Sequence, residues 1–330
     1  MNAMISAEHA PKKFLIIGMG KMGMNHLRVL SSLGGSEIIG FVDPCSPKGI
    51  VMIPRFDAIS SAPDFDCALI ASSSAQHEKN ALDVMERVST IFIEKPLSIS
   101  SSSCQKILEA ADKKGVKVYV GHIERFNPAV QKLKEIIRSG WLGTPIHFTF
   151  SRLGGYPKSA SAVENVIFDL AVHDIDVFSL FAEKPHVHAS ICHSCWQPNI
   201  IDTAQILLKS ASGISASIHT NWISPTKIRS IQVTGTKGIC VIDYILQTCA
   251  LLGGNLLDDR LEPNTDFNTL IKTYQTSDKI EFGVTMEEPL KRELQALLDE
   301  LQGKKTNLCT GTEGMEAVRL AEAALHQSTM

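Results

Sequence analysis

Apolar residues along this chain fall into two rhythms. From Lys12 to about His122, short continuous apolar runs ("KFLIIG", "EIIGFVD", "DCALIAS", "TIFIEK", "VKVYVGH") alternate with amphipathic segments such as "QHEKNALDVMERV" and "SSCQKILEAADKKG". Strands apolar on both faces and separated by helices predict a parallel sheet covered on both sides. Beyond that point "ERFNPAVQKLKEIIRSGWLG" predicts an amphipathic helix that starts after Asn127-Pro128 and ends at Gly140 and Gly143. The runs "PIHFTFSRLGGYP", "DTAQILLK", "GISASIHTNW", "IRSIQVTGTKG" and "CVIDYILQ" then follow at hairpin spacing, which predicts a mainly antiparallel sheet. Two amphipathic helices near "PLKRELQALLDELQG" and "GTEGMEAVRLAEAALHQS" close the chain, and "GGNLLDDRLEPNTDFN" is polar enough for a long loop. The expected architecture is a loose leader at 1–11, an α/β domain at 12–122, and an α+β domain at 123–330 with a large, mostly antiparallel open sheet. A chain of 330 residues has room for both cores, since single cores rarely grow much past ~250 to 300 residues.

Composition narrows the class. A formal charge of -3 argues against nucleic-acid and anionic-membrane partners. No apolar run approaches the ~20 residues of a membrane span, and "MNAMISAEHAPKK" lacks a signal-peptide core, so a cytoplasmic protein is expected. Eight cysteines without framework spacing read as reduced thiols. His186, His188, Cys192, His193 and Cys195 can be written as a metal cluster, but Val187, Ala189 and Ile191 alternate with His186, His188 and Ser190. That period of two predicts a strand with one wet face, which sends Cys192 and His193 to opposite sides; no metal site is expected.

The first apolar run leads straight into "GMGKMG", Gly18 to Gly23 with Lys21 and Met22 between, and then into "MNHLRVLSSL". Gly18 permits a tight turn, Gly20 lets backbone approach a pyrophosphate, and Gly23 lets the helix pack on the strand. The helix N-terminus supplies unpaired N–H groups for the phosphates. Asp43 ends the second run, where a carboxylate accepts from the adenosine ribose and repels a 2′-phosphate, so NAD is expected over NADP. Lys48 is the nearest cation. Ser72, Ser73 and His77 follow the third run, and Glu94, Lys95 and Pro96 end the fourth, again where ligands collect in such sheets. All of these are candidate cofactor contacts. Lys95 falls at the position expected for the nicotinamide end.

The run "VIFDLAVHDIDVFSLF" places three aspartates and a histidine in an apolar setting, and unpaired buried charge is costly. If Asp169 to Phe181 is an α-helix, then Asp169, His173 and Asp176 share one stripe and Asp174 lies off it. Either the stripe faces substrate, or it is a satisfied helix in which Asp176 pairs with His173 or caps a neighbouring turn. Alcohol oxidation suits such a set, because an imidazole can take the hydroxyl proton while a carboxylate holds it. Arg125, just before the helix that starts after Asn127-Pro128, suits a diphosphate or sugar contact, with a surface salt bridge as the alternative. Asn127, Tyr156 and Asn221 are further candidate substrate contacts. Trp222 and Lys227 sit where a strand turns, facing substrate or packing in the sheet.

Together "GMGKMG", "EKP", "GHIERFNPA" and "DLAVHDID" resemble the glucose–fructose oxidoreductase, inositol dehydrogenase and rhizopine-catabolism family of sugar dehydrogenases. The resemblance implies a Rossmann domain followed by an open-sheet α/β domain, usually in dimers or tetramers. It also implies that Lys95, Asp169 and His173 are catalytic. His173 is favoured as base with Lys95 polarising the hydroxyl, although either can fill the role of formal base. "VGHIERFNPAV" and "NWISPTKIRSIQVTGTKG" are similar to the branch that oxidises the 3-hydroxyl of UDP-N-acetylglucosamine, whose 3-keto product a PLP-dependent aminotransferase converts to the amino sugar of lipid A or surface polysaccharide. Alternatives are an inositol or free-sugar dehydrogenase, and a dinucleotide-binding regulator without catalysis.

Overall fold

The computed structural model describes residues 10–45, 51–155, 165–253, 266 and 278–328. The start of the leader, Lys48, Tyr156 and most of the polar stretch after Gly253 lie outside the described residues. The chain divides into two units, Met1–Ile123 with Glu288–Arg319 and Glu124–Glu287 with Leu320–Met330.

In the first unit six strands run parallel: β1 (Lys12–Ile17), β2 (Ser36–Val42), β3 (Arg55–Phe56), β4 (Cys67–Ile70), β5 (Thr90–Glu94) and β6 (Lys117–Gly121). Their spatial order is β6-β5-β4-β1-β2-β3, and the short segment Cys309–Thr310 adds antiparallel to the outer edge of β6. Every residue of β4 and β5 is buried, which explains why these runs show no polar alternation. Helices α1 (Lys21–Leu30), α2 (His77–Val84) and α3 (Ser101–Lys114) follow β1, β4 and β5. Local chemistry sets the limits of α3. The Ser100 hydroxyl accepts from Ser103 N at 3.2 Å, and Gly115 ends the helix in the left-handed region at φ +67°.

The boundary expected at 122 encloses only part of this unit. Helix Pro289–Leu301 buries Leu290, Leu294, Leu297 and Leu298 and packs on α1, and Arg28 pairs with Glu288. An apolar stripe announces that a helix must be covered, but not which distant surface covers it.

The second unit opens with α4 (Pro128–Arg138), then β7 (Pro145–Leu153), α5 (Val172–Ser179), β8 (His186–His193), β9 (Thr203–Lys209), β10 (Ser215–Asn221), β11 (Ile228–Gly235), β12 (Gly238–Asp243), β13 (Thr248–Gly253) and β14 (Asp278–Phe282). The sheet order is β14-β13-β12-β11-β7-β10-β9-β8. Only β7 and β10 pair in parallel; the other neighbours are antiparallel. On the covered face Phe148 and Phe150 of β7 are fully buried, and the Phe178 ring of α5 meets Phe148 edge-on at 5.5 Å.

One strand departs from its expected facing. β8 buries Val187, Ser190 and Cys192 and exposes Ala189 and Ile191. A register shift between Val187 and Ala189 against β9 flips the parity, and the buried Ser190 hydroxyl is satisfied by the Ala324 carbonyl. No described helix is long and apolar enough to cross a membrane.

Candidate active site

The parallel register brings the carboxyl ends of β1, β2, β4 and β5 to one edge of the first sheet. Gly18, Asp43, Ser72, Ser73 and Lys95 follow those ends. Gly18 has φ +95°, and a Cβ there would lie 2.5 Å from Ser72 N. A Cβ on Gly23 would lie 2.0 Å from the Gly18 carbonyl oxygen. Both glycines are therefore required by the fold itself. Gly20 is different, because a Cβ on it would meet nothing within 4 Å. Its bare face opens outward at the N-cap of α1, where no side chain caps the first turn and no acid lies in it. That combination fits an anionic pyrophosphate resting on backbone N–H groups. Lys21 is exposed at the first helical position and Met22 is half-buried.

Asp43 is oriented by two backbone donors, Met19 N at 2.6 Å to Oδ2 and Cys45 N at 2.7 Å to Oδ1. Each carboxylate oxygen keeps lone-pair capacity for a ligand hydroxyl. Ser72 accepts from Asn80 Nδ2 at 2.9 Å through its hydroxyl, and Ser73 is exposed. The residues after β4 thus combine a tethered serine with a solvent-facing one.

Two expected cofactor contacts are turned inward. His77 is buried, with its ring nitrogens 2.9 Å from the Pro96 carbonyl and 3.1 Å from that of Ser72. It braces the segment after β4 against the segment after β5, so its imidazole is not offered to a ligand. Burial holds that imidazole below its ordinary pKa, against the opposing pull of the two carbonyls. Glu94 is also buried; its Oε1 lies 2.6 Å from His26 Nε2, and its Oε2 accepts from Lys95 N at 3.2 Å. Burial alone would raise the Glu94 pKa, but the hydrogen bond and charge of His26, aided by Lys95 and His77, hold it below the ordinary carboxylate value. His26 is the partner that sequence reasoning missed. Its signal was a histidine among the apolar positions of the α1 segment. Lys95 itself is half-buried just beyond β5.

In the second unit the aspartate-rich run is not one continuous α-helix. Residues Ile167–Ala171 form a π-helical turn, and α5 begins at Val172. Asn165 starts the run, its side chain accepting from Ile167 N at 3.0 Å and Phe168 N at 3.2 Å. Asp169 therefore sits on the wider turn and His173 at the start of α5, both half-buried. The Trp222 indole Nε1–H donates to Asp169 Oδ2 at 3.0 Å. Trp222 packs within the unit at 1% exposure.

The other two aspartates have structural work. Asp176 lies in the regular helix α5 with His173. It is buried against Arg125, which donates from Nε at 2.9 Å and from Nη2 at 2.7 Å. Asp174 takes Arg152 Nε at 3.0 Å and Nη2 at 2.8 Å, and accepts from the Tyr244 hydroxyl at 3.2 Å. Arg152 also reaches Glu124 at 3.0 Å and lies 4.8 Å above the Tyr244 ring. Burial works against that guanidinium charge, but Asp174 and Glu124 hold its pKa well above the ordinary value. Arg125, expected to meet a diphosphate or sugar, is thus 4% exposed and neutralised by Asp176.

Asn127 and Asn221 are corrected in the same way. Asn127 is the N-cap of α4, accepting from Ala129 N at 3.1 Å and donating to Glu124 Oε2 and the Tyr244 carbonyl, each at 3.1 Å. Asn221 is buried at the end of β10, where its side-chain oxygen accepts from Ser224 N at 3.0 Å and shapes the turn. Lys227, two residues beyond Pro225, is exposed.

Comparisons with known proteins give the arrangement a family. Residues 12–122 match the model for an oxidoreductase family with an NAD-binding Rossmann fold, and residues 130–241 match the GFO/IDH/MocA C-terminal domain. An inositol 2-dehydrogenase from Acidothermus cellulolyticus is 31% identical over 219 residues, which is 62% of this chain and 64% of that relative. The structure of UDP-N-acetylglucosamine 3-dehydrogenase GnnA from Acidithiobacillus ferrooxidans superposes with a TM-score of 0.81 at 17% identity, covering 97% of this chain and 98% of that one. The WlbA dehydrogenase from Bordetella pertussis, solved in complex with NADH and UDP-GlcNAcA, gives a TM-score of 0.78 at 17% identity over 97% of this chain and 96% of that one. At such identities the solved structures establish a shared fold. With both domain models matched in order over more than half of its length, the chain belongs to the GFO/IDH/MocA family of oxidoreductases with an NAD-binding Rossmann domain.

Proposed function

We propose that the chain is an NAD-dependent dehydrogenase that oxidises a secondary hydroxyl of a sugar, with UDP-N-acetylglucosamine as substrate and its 3-keto derivative as product. The observation that carries the reading is the pair Asp169 and His173 on successive helical turns, in a chain whose dinucleotide-binding sheet ends in Lys95. When bound, NAD supplies a hydride acceptor. The chain's own residues supply the rest. Gly20 and the α1 N-terminus hold the pyrophosphate, and Asp43 takes the adenosine ribose, which favours NAD over NADP. His173 accepts the hydroxyl proton as the carbon gives up its hydride. Asp169 stabilises the imidazolium so formed, and Lys95 donates a hydrogen bond to the sugar oxygen.

Support for the nucleotide sugar comes from the match to GnnA over almost the whole chain. The product calls for a PLP-dependent aminotransferase as functional partner in the cytoplasm, and the exposed Ile191, Leu207 and Val241 of the second sheet support a homodimer or homotetramer. The second reading, an inositol or other free-sugar dehydrogenase, is favoured by the 31% identity to an inositol 2-dehydrogenase.

Purified protein with NAD and each sugar, followed by absorbance of reduced nicotinamide, separates the readings. The aminotransferase and its amino donor are included to draw off a ketone that equilibrium disfavours. Signal with UDP-N-acetylglucosamine is expected. Signal with inositol alone overturns the first reading in favour of the second. NAD binding without turnover of any sugar would identify a regulator.

A further inference from the structure

Trp222 stands apart from the chain's other two tryptophans. Trp141 and Trp196 are exposed, whereas Trp222 is buried with its indole N–H directed at Asp169. The residue is anchored from several sides. Its backbone N–H donates to the Asp202 carbonyl at 2.9 Å, and its neighbour Asn221 accepts from Gly154 N at 2.8 Å through its carbonyl. The Asp169 end is equally constrained. Asp169 N, in the π-helical turn, donates to the Asn165 carbonyl, and Val166 N, just before that turn, donates to the Ile201 carbonyl, each at 3.0 Å. π-helical turns are rare and are found frequently at functional sites.

The chemistry of the contact is one-directional. An indole N–H can only donate, and an ionised carboxylate can only accept. The contact therefore fixes Asp169 Oδ2 from one side, with a donor that carries no charge and does not titrate.

We propose that Trp222 is a positioning residue for Asp169, holding its carboxylate in one orientation for the proton transfer assigned to His173. The inference rests on the dehydrogenase reading given above. It adds a residue that touches neither sugar nor cofactor in that reading and acts only through Asp169.

The test combines kinetics with a spectroscopic readout that needs no substrate. Replacing Trp222 by its benzothiophene analogue keeps the bicyclic shape and deletes the N–H; Trp222→Phe serves as the coarser variant. Either is expected to lower kcat for sugar oxidation about tenfold with KM for NAD unchanged, because the lost interaction matters in the transition state. In an Asp169→Ala background the same replacement is expected to cost nothing further. A tenfold loss in both backgrounds means a merely structural indole and overturns the proposal.

In a ¹⁵N–¹H spectrum the three indole N–H groups give three signals, and Trp222→Phe identifies one of them. Asp169→Ala is expected to move that signal upfield while the other two stay in place. A signal indifferent to Asp169 overturns the proposal even if the benzothiophene protein fails to fold. Wild-type protein that binds NAD and turns over no sugar instead overturns the dehydrogenase reading, and with it the catalytic purpose of the contact, whatever the indole signal does.

Discussion

Gly20→Ala separates the folding role of the glycine-rich turn from its ligand role. Gly20 has φ -70° and ψ -162°, an extended conformation open to any residue, and a Cβ there meets nothing within 4 Å. Two small effects on stability oppose each other. Alanine reduces the freedom of the unfolded chain by about 0.4–1 kcal/mol, and it is a poorer N-cap than glycine by a similar amount. The net change is expected to stay within about 0.5 kcal/mol. Ligand binding is another matter. A methyl on the open face holds a pyrophosphate away from the helix N–H groups. Losing two charge-assisted hydrogen bonds at about 1.5 kcal/mol each weakens NAD by about 3 kcal/mol, or roughly a hundredfold in Kd. Urea unfolding with and without NAD reads both quantities. At an NAD concentration of about 100 times the wild-type Kd, wild type gains about 2.7 kcal/mol and the variant only about 0.4 kcal/mol. Equal gains would refute the assignment of the pyrophosphate to Gly20. An unfolded variant would refute the open face. Gly23→Ala is the control, because its Cβ would stand 2.0 Å from the Gly18 carbonyl oxygen and the fold cannot accept it.

Other outcomes follow from the same geometry. Asp176→Asn removes the carboxylate charge that the buried Arg125 guanidinium meets, and a loss of about 3–5 kcal/mol in urea unfolding is expected; a loss under 1 kcal/mol would refute the weight given to this pair. Acid should destabilise the protein through two groups. Glu94 is held below its ordinary pKa, so its contribution is present above the unfolded carboxylate range and is lost as pH falls through the folded value. His77 is held low by burial, so protons favour the unfolded chain below an imidazole pKa of about 6.5, and stability declines from there downward. Urea midpoints at pH 7 and pH 5 check the His77 part, which His77→Gln should flatten, and midpoints carried on from pH 5 to pH 3 check the Glu94 part. Lys95→Met and His173→Asn are each expected to lower kcat by about 10²–10⁴ while NAD affinity, read by titration, stays near wild type; unchanged turnover would remove either residue from the chemistry. Asn127→Ala should cost about 1 kcal/mol or more in urea unfolding, since it removes the α4 cap.

Much of the first unit was legible because its signals are local. A buried parallel strand is a short unbroken apolar run, and a phosphate-binding turn is a strand, a set of spaced glycines and a helix, all contiguous. Gly18, Gly20, Gly23 and Asp43 occupy the expected places for that reason. Partners drawn from distant segments were not legible. His26 and Glu94 are 68 residues apart, and Arg152 and Asp174 are 22 apart. Nothing in either local pattern names the other member. What the chain did announce was the need: carboxylates in "VIFDLAVHDIDVFSLF" demanded cations. Arginines also stand in apolar runs at Arg28 and Arg138, so nothing local singles out Arg125 and Arg152 as the partners.

Two elements depart from the regular periods expected of them. A helical wheel at 100° per residue assumes that no residue is inserted into the turn, and the π-helical segment Ile167–Ala171 inserts one. On that segment Asp169 receives the Trp222 indole N–H, and Asp176, in the regular helix beyond it, receives Arg125. In β8 the bulge between Val187 and Ala189 does the same to a period of two, so Ser190 and Cys192 turn inward and Ile191 turns out. Single-residue insertions leave composition and mean hydropathy untouched, yet they reassign every facing downstream of themselves. The consequence differs between the two elements. In β8 the cost is one buried hydroxyl, answered by the Ala324 carbonyl. At Asp169 the π-helical turn carries the carboxylate that the Trp222 indole meets, and that contact is the one on which the proposed positioning role rests.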